Sequence, residues 1–162
     1  LKAYRKVNGK WQSEVIDKLK VNGFRGLAVG DIYNKKKQVV LAGNNSKEEE
    51  EGGSLYAYEY ENNAWKKTTV YYDQEDHQIK AIKTGDIYGD GKQRILLATG
   101  NSNAKIIILT WNGKTFDEEK VGQVSSLFDL PGNDFFSMTA LLGKTGKNPT
   151  VIIAGQVSKI NS

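Results

Sequence analysis

Residues 85–98 read GDIYGDGKQRILLA, and residues 30–42 read GDIYNKKKQVVLA. The tetrapeptide Gly-Asp-Ile-Tyr recurs at an offset of 55 residues, and each copy runs through a polar turn into a short apolar segment. A fixed spacing of this kind marks a repeat architecture, in which each copy folds into the same supersecondary unit. Residues 139–155, TALLGKTGKNPTVIIAG, form a degenerate third copy that keeps the apolar segment and Ala154-Gly155 but loses the Gly-Asp pair.

A second module alternates with the first. Residues 1–11, LKAYRKVNGKW, match residues 55–65, LYAYEYENNAW, at an offset of 54 through Leu1/Leu55, Ala3/Ala57, Tyr4/Tyr58, Asn8/Asn62 and Trp11/Trp65. Residues 106–116, IIILTWNGKTF, follow the same plan with the turn shifted by one residue and Phe116 in the place of Trp65.

The local pattern is β throughout. In residues 55–61, Tyr56, Tyr58 and Tyr60 alternate with Leu55, Ala57 and Glu59, the period of two that gives a strand two different faces. Val39–Ala42, Ile95–Ala98 and Val151–Ala154 are continuous apolar runs, as strands covered on both faces require. Asn8-Gly9 and Asn112-Gly113 stand between strand patterns as hairpin turns. One turn of helix is compatible with residues 124–130, before Pro131. Strands are expected at 1–6, 11–17, 24–32, 38–44, 54–61, 65–73, 79–87, 93–100, 104–112, 115–122, 135–142 and 150–157. At four strands per repeat of roughly 50 residues, the pattern predicts an all-β chain of about three four-stranded antiparallel blades of a β-propeller. The phase gives a half blade at 1–23, repeats at 24–78 and 79–134, and a half blade at 135–162. Propellers close with about four to eight blades. Either two chains build a six-bladed ring, as a homo-oligomer, or this chain continues into a longer propeller. Leu1 falls within a strand pattern and no initiator Met precedes it, which fits a processed or truncated product.

The run at 85–98 resembles the FG-GAP/VCBS repeat, whose loop reads D-x-D-x-D-G followed by an acidic residue and an apolar strand. The resemblance extends over nearly the whole chain. It implies an extracellular or cell-surface binding scaffold, as in integrin α heads, rather than a defined reaction; some lectins and periplasmic enzymes share the repeat. It also implies calcium in the loop, because a hard cation takes closely spaced carboxylate and carbonyl oxygens. Asp86 and Asp90 match the first and third acidic positions, Tyr88 stands at the second, and Arg94 replaces the closing acid. In the first loop Asp31 alone remains, followed by Asn34 and Lys35 to Lys37, and the loop at 143–147 has no acid. The plainer alternative makes Asp86 and Asp90 turn caps.

Composition removes other classes. The chain has no cysteine, which excludes disulfides and thiolate chemistry. Its single histidine, His77, lies in the acidic stretch 73–77 and reads as a solvated loop residue, since no nucleophile motif such as G-x-S-x-G accompanies it. No apolar run nears the ~20 residues of a membrane span. The net charge of +4 is scattered and interrupted by Glu48–Glu51, a solvated basic surface rather than a nucleic-acid footprint. Glu48–Glu51 with Gly52-Gly53 reads as a polar loop insertion, and Asn44-Asn45-Ser46 is a glycosylation sequon. Trp11, Trp65 and Phe116 share one repeat position and are expected to pack the blades. Trp111 lies outside that position and is the candidate ligand-binding aromatic. The expected function is non-catalytic recognition of a protein partner, with a glycan as the alternative ligand and an enzyme whose catalytic residues lie on other blades as a further one. The loops at 30–37, 85–92 and 143–148 are expected on one rim, and those at 44–54 and 100–105 are equivalent to each other.

Overall fold

The computed structural model describes residues 1–19, 23–44, 53–73, 78–100, 105–123, 134–141 and 151–157, with 122–123, 134–141 and 151–157 as backbone only. Among these residues the secondary structure is all β, in twelve strands: β1 (Lys2–Val7), β2 (Lys10–Val15), β3 (Phe24–Gly30), β4 (Val39–Asn44), β5 (Gly53–Glu61), β6 (Ala64–Asp73), β7 (Ile79–Gly85), β8 (Arg94–Thr99), β9 (Lys105–Trp111), β10 (Phe116–Gln123), β11 (Asp134–Leu141) and β12 (Val151–Val157). Each expected strand is present. The expected helical turn at 124–130, His77, the sequon's Asn45 and Ser46, Glu48–Glu51 and the third loop at 143–148 lie outside the described residues.

The strands form antiparallel meanders: β3-β4-β5-β6 and β7-β8-β9-β10 as four-stranded sheets, β1-β2 and β11-β12 as pairs. The hairpin turns follow from local chemistry. Asn8 and Gly9 both hold positive φ, and so do Asn62 and Asn63, so Val7 pairs with Lys10 and Glu61 with Ala64 across two-residue turns. Asn112-Gly113 instead belongs to a four-residue loop, with Trp111 opposite Phe116. There the Asn112 side-chain oxygen accepts the N–H groups of Lys114 and Thr115, each at 2.9 Å.

The two four-stranded sheets stack face to face. Val39, Leu41, Leu55 and Ala57 of one interlock with Ile79, Ile82, Ile95, Leu97, Ile107 and Leu109 of the other. Burying one such aliphatic side chain stabilises by about 1.5–3 kcal/mol, so this layer is the main cohesive term. The alternation expected for β5 is realised. Leu55 and Ala57 enter that core, while Tyr56 and Tyr58 face a second cluster closed by Leu1, Ile16, Leu19 and Phe24. The β1–β2 segment is latched there by Asp17, which accepts from the Tyr58 hydroxyl at 2.7 Å and pairs with Lys67 at 2.8 Å. The apolar run of β8 is buried along its whole length, as a strand covered on both faces should be.

First strands meet first strands: β3 lies against β7, and β7 against β11. The approach is close enough to need glycine. A Cβ on Gly30 would stand 2.6 Å from Thr84 Cβ, and one on Gly43 2.1 Å from Ile79 Cγ2. The Thr84 hydroxyl donates across the gap to the Val29 carbonyl at 2.7 Å.

Candidate functional site

β3 and β7 end at Gly30 and Gly85, two residues before the expected limits. The reason is the aspartate that follows each. Asp31 accepts the N–H groups of Lys35 at 2.9 Å and Lys36 at 2.7 Å. Asp86 accepts those of Asp90 at 3.0 Å and Gly91 at 2.8 Å. These side-chain bonds offer the backbone an alternative to the ladder and curl it into a tight loop. Ile32 and Ile87 are nonetheless buried, anchoring each loop to the core.

The two loops are copies in conformation as well as in sequence. Asn34 and Lys36 hold φ of 54° and 60°, where Gly89 and Gly91 hold 70° and 83°. They are also joined to one another. The Gln93 N–H donates to Asn34 Oδ1 at 2.8 Å, and the Asp31 N–H donates to the Gln93 side-chain oxygen at 2.8 Å. The two loops therefore lie side by side, with Lys35, Lys36 and Lys92 exposed on them.

The acidic pair of the second loop is closed inward. Both terminal guanidinium nitrogens of Arg94 donate to Asp90, at 2.7 and 2.6 Å. The same nitrogen that binds Asp90 Oδ1 lies 4.0 Å from Asp86 Oδ1. Arg94 is buried, and its guanidinium lies 4.4 Å from the centre of the Tyr88 ring. The bond from Arg94 holds the Asp90 carboxyl well below the usual carboxylate range, and the bond to Asp90 holds the guanidinium ever more firmly charged. The Tyr88 hydroxyl donates to Glu119, and burial together with that bond pushes it up to about 12. Calcium takes six to eight oxygens at 2.3–2.6 Å. Here both oxygens of Asp86 serve backbone amides, both of Asp90 serve Arg94, and the space beside them already holds a positive charge. The donor set does not fit the cation. No group of three or more metal-ligating side chains occurs among the described residues.

Trp111 is half-buried rather than freely exposed. Its ring stands edge-on to Tyr33, with centroids 5.0 Å apart, and 5.1 Å from Phe116. Tyr33 belongs to the first loop, so this cluster fastens that loop to the β9–β10 hairpin of the next sheet. The strand register explains the position: Trp111 faces Phe116 as Tyr60 faces Trp65.

A site the sequence did not disclose lies between the β1–β2 and β5–β6 hairpins. A cleft of about 240 Å³ is lined by Ala3, Arg5, Glu14, Tyr60 and Trp65. Tyr60 and Trp65 form a tilted pair with centroids 5.1 Å apart. Glu14 accepts from the Trp65 indole N–H and pairs with Arg5 at 2.6 Å. Arg5 and Glu14 carry no repeat or motif signal; only pairing β1 with β2 brings them together.

No protein-family model matches the chain, and no curated protein matches it either. Among the described residues no helix is long and apolar enough to cross a membrane.

Proposed function

We propose that the chain is a non-catalytic binding and scaffolding module, one segment of a β-propeller of the FG-GAP/VCBS kind, recognising a protein partner at an extracellular or cell surface. Support for the propeller comes from the order of stacking. Two four-stranded meanders and then the β11–β12 pair succeed one another with their first strands in contact, β3 to β7 to β11. That is how blades surround an axis. On this reading residues 1–23 and 135–162 are half blades flanking the repeats 24–78 and 79–134.

The observation that carries the binding function is the pair of equivalent loops. Asp31 and Asp86 are spent on their own loops' backbones and Asp90 on Arg94, the loops are tied to each other through Asn34 and Gln93, and Tyr33 seats one of them on Trp111 and Phe116. Loops fixed in this way hold their outward side chains in one arrangement, and such preorganisation lowers the cost of association. A photo-crosslinking residue placed at Lys35 should give a discrete adduct with a partner protein. The same residue at Lys66, on the exposed edge strand β6, should not. Equal labelling at both positions, or none at the rim, would count against recognition through these loops.

A glycan is the second reading, favoured by the cleft at Tyr60 and Trp65. An aromatic pair beside a carboxylate and a guanidinium offers a stacking face and polar partners for a sugar ring. Binding on a glycan array that disappears with Trp65→Ala would select this reading over the rim.

A further inference from the structure

One face of the β3–β6 sheet is only half covered. Its outer part, at Ala42, Tyr56 and Tyr58, is closed by the β1–β2 segment. Its inner part is bare, with Leu27 and Val29 on β3 exposed to 57% and 56%. A groove of about 420 Å³ runs there between β3 and β1, and Ala3, Tyr4, Leu27, Val29 and Val40 contribute to its walls. Tyr4, the repeat counterpart of the fully buried Tyr58, is 65% exposed.

The neighbouring sheet indicates what fills such a groove. On β7–β10 the corresponding face is met by β11, which lies against β7 and β8. The bare face of β3 continues an interface that the chain already uses twice, at β3–β7 and β7–β11. The edges agree. Among the described residues β5 is flanked by β4 and β6, whereas its counterpart β1 is paired only with β2, and β12 only with β11. Among the described residues, β1 and β12 thus each leave one edge unpaired.

We propose that β11–β12 of a second copy of this chain occupy this groove. In it β12 pairs with the open edge of β1, and β11 covers Leu27 and Val29. The result is a composite sheet in the order β11-β12-β1-β2, the order of β3-β4-β5-β6. The contact is isologous, so two copies satisfy each other's groove and the pair closes. This rests on the propeller reading above and names the partner that completes it.

A second joint accompanies the first. Tyr33 of the first loop sits on the β9–β10 hairpin of the following sheet. Tyr88, its counterpart, is 43% exposed, and Trp11, the counterpart of Phe116 on the β1–β2 hairpin, is 70% exposed. In the pair, Tyr88 of one copy reaches the Trp11 hairpin of the other. Charge is matched at the first joint, where the loop bearing Lys35 meets a hairpin bearing Asp117 and Glu118. At the second the loop's Asp90 is held by Arg94, and Gln12 and Ser13 stand where the two acids were.

Light scattering on the 162-residue chain, after size exclusion, should give twice the 18.0 kDa monomer mass. Val29→Glu, at an exposed position, should leave the β spectrum intact and return the mass to that of the monomer. The chain has no cysteine, so chains carrying Tyr88→Cys and Trp11→Cys, mixed under mild oxidation, should form a disulfide-linked dimer at least tenfold more abundant than either alone. A monomer at every concentration overturns the proposal, as does a dimer that is indifferent to Val29→Glu and not linked by the cysteine pair. An open ladder of higher oligomers overturns it too. A monomer that still crosslinks a partner at Lys35 would sink the pairing and leave the binding module standing.

Discussion

Lys36 holds φ at 60° in the loop position where Gly91 holds 83°. The left-handed region costs a side-chain-bearing residue about 1–2 kcal/mol, and glycine gives back ~0.5–1 kcal/mol of that through the freedom of its unfolded chain. Lys36→Gly should therefore stabilise by about 0.5–1 kcal/mol. The Lys36 N–H donates from the backbone to Asp31 and survives the change. Urea unfolding reads the gain as a higher midpoint at unchanged slope; a lower midpoint would mean that the Lys36 side chain makes a contact worth more than the strain. Arg94 acts in a different way: it is a cation that the loop carries with it, and Asp90 binds that cation through both oxygens.

At the scale of elements, the stacking of sheets is decided by small residues. Gly43 is buried against Ile79, which has no exposed surface into which to move. Gly43→Ala should destabilise by about 1–3 kcal/mol, the ordinary range for overpacking. In a double-variant cycle with Ile79→Ala the two should couple favourably, because the smaller partner vacates the space the new methyl needs. Strict additivity would show that the sheets separate freely at this point. The strands themselves were legible because period-two alternation and Asn-Gly turns are local signals. The sheets' mutual order was legible because the offsets of 54 and 55 residues preserve phase. What stayed hidden was whatever depends on a neighbouring sheet. Trp111 looked like a solitary aromatic because its partner Tyr33 is 78 residues away, on a loop of the preceding repeat. Trp11 looked like a packing residue by register, yet its hairpin has no such neighbour among the described residues and it is exposed. The Arg5–Glu14–Trp65 contact joins three strands, and no linear pattern encodes it.

For the whole molecule, each sheet is held mainly by the sheets beside it, so stability is graded along the stack rather than shared evenly. β8 lies at the protected end of that gradient, since both its faces are buried. The β1–β2 segment lies at the other: it is a two-stranded unit, and such a pair is marginal alone. Its hold on the β3–β6 sheet combines Leu1, Ile16 and Leu19 with the Asp17 latch. Burial pushes the Asp17 carboxyl up, but the bonds from Lys67 and Tyr58 outweigh it and leave a net depression. Burial and the bond to Asp17 push the Tyr58 hydroxyl far up. Both groups thus stay in the states that bind each other through the neutral range. Asp17→Ala should free the segment without touching the main core. In hydrogen exchange, the amides of β1 and β2 should lose protection by roughly tenfold, corresponding to about 1.4 kcal/mol of local opening, while those of β8 keep theirs. If β8 lost protection in parallel, the stack would open as one cooperative unit, and the first hairpin would be as much part of the core as the sheets between.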